Sequence, residues 1–113
     1  MTQVTGVFRT WILVLLMSGS LALPAVAQTS ERIQRGQQLV AKNCARCHAI
    51  ARTGNGAHPQ APAFRTLGSR YPIDSLAEGL VEGFSSGHPD MPEFMFALED
   101  ATAIIAYIKS IQH

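Results

Sequence analysis

The chain has 113 residues, of which 47% are hydrophobic and 15% are charged. This length allows a single domain and excludes a multidomain enzyme. Nine lysines and arginines are offset by eight aspartates and glutamates, so the formal net charge is +1. Because proteins that bind nucleic acids or anionic membranes carry a basic surface, this balance favours neither partner.

Residues 1–27 have the pattern of a cleaved signal peptide. Arg9 precedes an apolar run from Trp11 to Leu23, and the small residues of Ala25–Ala27 follow it. A membrane span needs about 20 apolar residues, whereas this run is shorter and contains serine and glycine. We therefore expect cleavage after Ala27 rather than a retained anchor. The mature domain, residues 28–113, is then exported to the periplasm and makes no stable membrane insertion.

The first predicted helix runs from about Glu31 to Cys47. Thr29 and Ser30 precede it as N-cap candidates, because their hydroxyl oxygens can accept hydrogen bonds from amides of the first turn. Four residues recur at the helical spacing of three and four and mark one face: Ile33, Gly36, Val40 and Cys44.

A loop rich in glycine and proline is predicted next, between residues 51 and 62. A short second helix follows, since Ser75 and Glu78 have the spacing of a capping box. Its apolar face consists of Leu76, Leu80 and Phe84.

Residues 85–96 are predicted to form an extended loop, because Gly87, Pro89 and Pro92 prevent regular helix. The last helix starts near Glu99 and ends near Lys109. Its apolar stripe consists of Ala101, Ile104, Ile105, Ile108 and Ile111. Since no segment alternates as a strand does, the predicted fold class is all-α.

The chemistry is concentrated in the pentapeptide from Cys44 to His48, which has the Cys-x-x-Cys-His pattern of covalent c-type haem attachment. Both cysteines of the chain lie in it. We expect Cys44 and Cys47 to form thioethers to one haem and His48 to bind its iron. Two other interpretations are a thiol redox pair, which belongs near a strand–helix unit, and a zinc site, which needs further ligands such as His58 or His88.

Met91 is the predicted ligand on the opposite face of the iron, since a thioether is a soft ligand that raises the potential of haem iron. Neighbouring prolines restrict its loop, which lowers the entropy lost when the sulfur is placed on iron. Met95 and Met91 could each instead fill space in a core. His88 is the rival ligand, and His58 and His113 are weaker candidates. The sequence favours a solvated surface position for all three histidines.

From Ile33 to Ile111 the sequence resembles the class I cytochromes c. The matching features occur in the family's order: a small residue at Gly36, the attachment pentapeptide, Met91 before a proline, and an aromatic residue of the last helix at Tyr107. The resemblance implies that the first and last helices cross, with Gly36 beside Tyr107, and that loops wrap around one haem.

The resemblance also implies roles for two further residues. The carbonyl of Pro62 would accept a hydrogen bond from His48, and Arg70 would pair with a haem propionate. The sequence departs from some relatives because its one tryptophan lies in the predicted signal peptide. With only Lys42 and Lys109 as lysines, a lysine ring for docking is not expected.

These observations predict a periplasmic electron carrier with one covalent haem c and His/Met ligation. We expect it to act as a monomer with redox donor and acceptor proteins and not as an enzyme, because both axial positions of the iron are filled. One alternative is a haem protein whose open sixth site binds gas or peroxide. Another is a dedicated electron-accepting subunit of a dehydrogenase.

Overall fold

The computed structural model describes residues 24–113, so most of the predicted signal peptide lies outside the described residues. Three α-helices are present: α1 (Ala25–Asn43), α2 (Leu76–Glu82) and α3 (Leu98–Ser110). Two 3₁₀ helices, at Phe64–Ser69 and Ile73–Ser75, lie between α1 and α2. Residues 24–113 contain no strand, and the predicted all-α fold class is confirmed.

Helix α1 begins at Ala25, earlier than the sequence predicted. The predicted N-caps at Thr29 and Ser30 are wrong, because both residues lie inside the helix. The hydroxyl of Thr29 donates to the carbonyl oxygen of Ala25 at 3.0 Å, a bond that satisfies this side chain within the helix. Pro24 occupies the N-cap with extended backbone, and the alanines that follow have high helix propensity.

Helix α1 also ends earlier than predicted, at Asn43 and not at Cys47. The carbonyl oxygen of Val40 accepts hydrogen bonds from two amides, that of Cys44 at 2.8 Å and that of Ala45 at 3.2 Å. Sharing one carbonyl between amides four and five positions later widens the last turn and ends the regular helix. The two cysteines therefore lie in the turn after α1.

The crossing of α1 and α3, which the resemblance implied, is the main contact of the fold. A Cβ atom on Gly36 would lie 1.9 Å from the carbonyl oxygen of Ala103 and 2.8 Å from Cβ of Tyr107. Only a hydrogen atom fits there. An ion pair lies beside the crossing, with Nε of Arg35 2.7 Å from Oδ1 of Asp100.

The core is built around α3. Its buried residues are Ala101, Ala103, Ile104, Ile105, Tyr107 and Ile108, and Ile111 follows them. Side chains from the other elements that complete the core are Val40, Phe64, Leu67 and Ile73. The hydroxyl of Tyr107 donates to the carbonyl oxygen of Ile50 at 2.8 Å, which joins α3 to the segment after the cysteines.

We expect a Tyr107→Phe variant to lose about 1 kcal/mol of unfolding free energy, since it removes one donor and leaves the Ile50 carbonyl without its partner. Chemical denaturation of the haem-loaded protein measures this loss. Tyr71→Phe is the control, because Tyr71 is 52% exposed. Equal stability of the two variants would contradict a stabilising role for the Tyr107 hydroxyl.

Helix α2 spans Leu76–Glu82, but the predicted capping box at its start is wrong. The 3₁₀ helix Ile73–Ser75 runs directly into α2, so Ser75 has helical backbone angles and its side chain caps no amide. The helix ends before Gly83, whose φ of 104° favours glycine. Phe84 therefore lies beyond the helix.

The 3₁₀ helix Phe64–Ser69 was not predicted from the sequence. Gln112, just after α3, holds it from the other side of the core: its side-chain nitrogen donates to the carbonyl of Phe64 at 2.7 Å, and its side-chain oxygen accepts from the amide of Gly68 at 2.7 Å. Within residues 24–113, no helix is both long and apolar enough to cross a bilayer.

Candidate functional site

The pentapeptide Cys44–His48 forms a tight turn at the end of α1. The carbonyl oxygen of Cys44 accepts from the amide of Cys47 at 3.1 Å and from the amide of His48 at 3.0 Å. Backbone bonds thus bring the two thiols and the imidazole together on one short segment. The sequence placed these three side chains on one face of a regular helix, whereas the pentapeptide is a turn that follows the helix.

Cys44 is half-buried among the apolar residues that pack on the core. Burial raises the pKa of the Cys44 thiol to about 11. A thiol redox pair needs a thiolate whose pKa is lowered, and Cys44 does not have the environment of such a thiolate. Among residues 24–113, no three His, Cys, Asp or Glu side chains are grouped so that they could hold a metal ion.

His48 is oriented by the loop that follows it. Its Nδ1 lies 2.8 Å from the carbonyl oxygen of Pro62. A carbonyl oxygen only accepts, so Nδ1 carries the proton and the lone pair is on Nε2. The ring also packs against Phe64, with ring centroids 4.8 Å apart. The imidazole is thereby fixed in direction and in tautomer.

The loop between His48 and Pro62 is held close to the pentapeptide. The amide of His58 donates to the carbonyl oxygen of Cys47 at 3.2 Å. The amide of Phe64 donates to the carbonyl oxygen of Ala49 at 2.9 Å. These bonds set the distance between His48 and the Pro62 carbonyl.

Met91 lies in the irregular segment between α2 and α3, and its side chain is half-buried. Its amide donates to the carbonyl oxygen of His88 at 3.1 Å. Met95, by contrast, is 73% exposed. The two methionines therefore differ in exposure, and the more buried Met91 is the better candidate for an iron ligand.

The remaining predicted site residues differ in their surroundings. Arg70 is exposed at the end of the first 3₁₀ helix. The interpretation of His58 as a solvated surface residue is wrong, since its side chain is only 26% exposed and is bonded to Asp90. His88 is half-buried as well, and its Nε2 lies 2.5 Å from the side-chain oxygen of Gln60.

Sequence reasoning gave no role to Gln60 and Asp90. A signal for them was present, because each directly follows a His-Pro pair, His58-Pro59 and His88-Pro89. Nothing local in the sequence indicated that the two segments lie side by side in the fold.

The pentapeptide has the donors that a covalently attached c-type haem uses, two thiols and an imidazole. The turn that carries the thiols rests on apolar surface, since Leu39, Cys44 and Ile50 are half-buried against the core.

Comparison with known proteins agrees with this chemistry. The family model described as Cytochrome c matches residues 33–112. The cytochrome c-552 of Bradyrhizobium diazoefficiens is 32% identical to the chain over 101 residues, which are 89% of this chain and 89% of that protein. No solved structure matches the chain significantly.

Proposed function

The chain belongs to the cytochrome c family, and from this membership we propose that it is a periplasmic electron carrier whose haem iron is bound by His48 and Met91. The family's cofactor is covalent haem c, and Cys44 and Cys47 fit its attachment motif. When bound, the haem supplies one-electron redox chemistry. The protein's own residues hold it, orient its ligands and limit its exposure to water.

The geometry of His48 is the observation that carries this proposal. Its Nδ1–H donates to the Pro62 carbonyl, so Nε2 is directed away from that carbonyl and is the nitrogen available to iron. Such a hydrogen bond also increases the basicity of the ligating nitrogen. Pro62 thereby acts on the iron through His48, as the resemblance implied.

Met91 is proposed as the second ligand because it is the half-buried methionine of the chain's last long loop. A thioether favours ferrous iron, and an apolar site does so as well because ferric haem carries one more positive charge. We therefore expect a positive potential. If His48 and Met91 both bound the iron, no iron position would be left for a substrate, and we propose that the protein catalyses no reaction of its own.

The proposed working form is residues 28–113, produced by removal of the signal peptide 1–27. Cleavage after Ala27 would shorten α1 by three residues, Ala25–Ala27. Val26 is 79% exposed, so this loss removes little packing. We propose that the mature monomer exchanges electrons with donor and acceptor proteins, and that it binds neither nucleic acid nor membrane.

The test is the mass and the visible spectrum of protein matured in a bacterial periplasm. We expect the mass of residues 28–113 plus one haem, which persists after acid denaturation because thioether bonds survive it. A Cys44→Ser/Cys47→Ser variant is the control and is expected to release any haem under acid. A colourless wild-type polypeptide with two alkylatable thiols would overturn the proposal.

A further inference from the structure

Two seven-residue segments of the chain share the pattern His-Pro-x-x-Pro-x-Phe. The first segment is His58–Phe64 and the second is His88–Phe94. The first segment contains Pro62, whose carbonyl orients His48, and the second contains Met91. The first segment thus orients one of the two proposed iron ligands, and the second segment carries the other.

Each histidine first accepts a hydrogen bond within its own segment. Nδ1 of His58 accepts from the amide of Gln60 at 3.2 Å, and Nδ1 of His88 accepts from the amide of Asp90 at 3.3 Å. A ring nitrogen that accepts an N–H carries no proton, so the proton of each neutral ring is on Nε2. Both rings therefore present Nε2–H as a donor.

Each of these Nε2–H groups forms a hydrogen bond to the other segment. Nε2 of His58 lies 3.2 Å from Oδ2 of Asp90, and Nε2 of His88 lies 2.5 Å from Oε1 of Gln60. The two rings meet edge to face, with centroids 5.5 Å apart and planes at 89°. The contact is reciprocal: each imidazole donates to the side chain two residues after the other histidine.

The loop that carries Met91 makes few hydrogen bonds to the rest of the described chain. In the part of the chain that the structure describes, the two crossing bonds are the hydrogen bonds that join residues 85–93 to residues outside that stretch. The loop's ends are fixed by backbone bonds of Phe84 to Phe94 at 3.4 Å and of Phe96 to Leu80 at 2.8 Å. Pro89 and Pro92 stiffen the loop but donate no amide hydrogen bond.

We propose that these two crossing bonds, which we name the His-Pro clasp, hold the Met91 loop against the loop that orients His48. His58, Gln60, His88 and Asp90 are then positioning residues for the sulfur ligand. The inference rests on the ligation by Met91 proposed above. Because the clasp removes freedom from the loop before the sulfur binds, it reduces the entropy lost on ligation. Without it, an external ligand competes more effectively for the iron.

The experiment titrates the ferric holoprotein with imidazole and follows the loss of the sulfur-to-iron charge-transfer absorption. The variants are Gln60→Ala and His58→Ala, which change the first segment and leave the sequence around Met91 intact. Each is expected to raise the apparent affinity for imidazole about fivefold, the effect of one hydrogen bond. Gln60→Glu keeps an acceptor oxygen for His88 and is expected to stay within about twofold of the wild type.

His113→Ala is the matched control, since His113 is an exposed histidine outside both segments. Denaturation of each variant separates a loss of global stability from a change in ligand exchange. Should His58→Ala fail to retain haem, Gln60→Ala carries the test, because Gln60 is exposed and its substitution breaks only the bond to His88.

The outcomes distinguish the two proposals. The clasp is overturned if the wild type shows the sulfur-to-iron absorption but Gln60→Ala binds imidazole with the same affinity as the His113→Ala control. The proposed ligation by Met91 then still holds. A wild type without the absorption overturns the Met91 ligation, and this inference with it. The clasp is supported if Gln60→Ala binds imidazole more tightly than the wild type and Gln60→Glu binds it with about the wild-type affinity.

Discussion

A Gly36→Ala variant is expected to be less stable than the wild type by about 2 kcal/mol, although alanine is the better helix former. Alanine gains about 1 kcal/mol over glycine inside a helix. Its Cβ would lie 1.9 Å from the carbonyl oxygen of Ala103, however, and that oxygen belongs to the backbone of α3. The two helices must separate to relieve this contact with backbone, so the overpacking cost is at the upper end of the usual range, about 3 kcal/mol. The net loss is then about 2 kcal/mol.

Chemical denaturation of the haem-loaded variant measures this loss. Ala41→Gly on the exposed side of α1 is the control, because it changes propensity without changing a helix contact. We expect that control to lose about 1 kcal/mol from propensity alone. The close approach of α1 and α3 would be refuted as a constraint if Gly36→Ala were as stable as the wild type. For a small domain, the expected loss is a large share of its total stability.

A Met91→Ala variant is expected to lose the sulfur-to-iron charge-transfer absorption and to have a lower potential. Loss of the thioether removes a ligand that favours ferrous iron, and axial ligands set haem potentials over about 0.8 V. We therefore expect a fall on the order of 100 mV, together with a sixth position open to water or added ligands. Visible spectroscopy and a redox titration measure both effects.

Met95→Ala is the control for this substitution, since Met95 is 73% exposed and is expected to change neither spectrum nor potential. A wild type that is already high-spin and binds gas or peroxide would contradict the electron-carrier proposal. In that case Met91 packs in the fold without binding iron, and the open-site alternative is favoured. Co-purification with one dehydrogenase would instead favour a role as its electron-accepting subunit.

Some of the fold could be predicted because its causes are local. The apolar stripe of α3 reflects the helical period, and the structure buries the predicted side chains. Covalent haem attachment needs two thiols and an imidazole close together in the chain, so the pentapeptide can be recognised from the sequence without knowledge of the fold. Even Gly36 could be singled out, since a glycine inside a helix requires a reason.

The helix ends were less predictable because the same residue types can satisfy their hydrogen bonds in several ways. Thr29 could cap a helix, but its hydroxyl bonds to Ala25 inside α1. Ser75 is the last residue of a 3₁₀ helix that the sequence did not indicate and that runs directly into α2, so no free first turn remains for it to cap. In both cases helical backbone that begins before the residue decided the outcome.

The amino-acid sequence by itself determined the all-α class, the covalent cofactor and the family, because each depends on residue types at short, fixed spacings. Only the tertiary structure decided which distant groups meet: the Tyr107 hydroxyl with Ile50, His48 with the Pro62 carbonyl, and the two His-Pro segments with each other. A polar side chain can bond to many partners, and the packing of the helices selects the one that comes within about 3 Å of it.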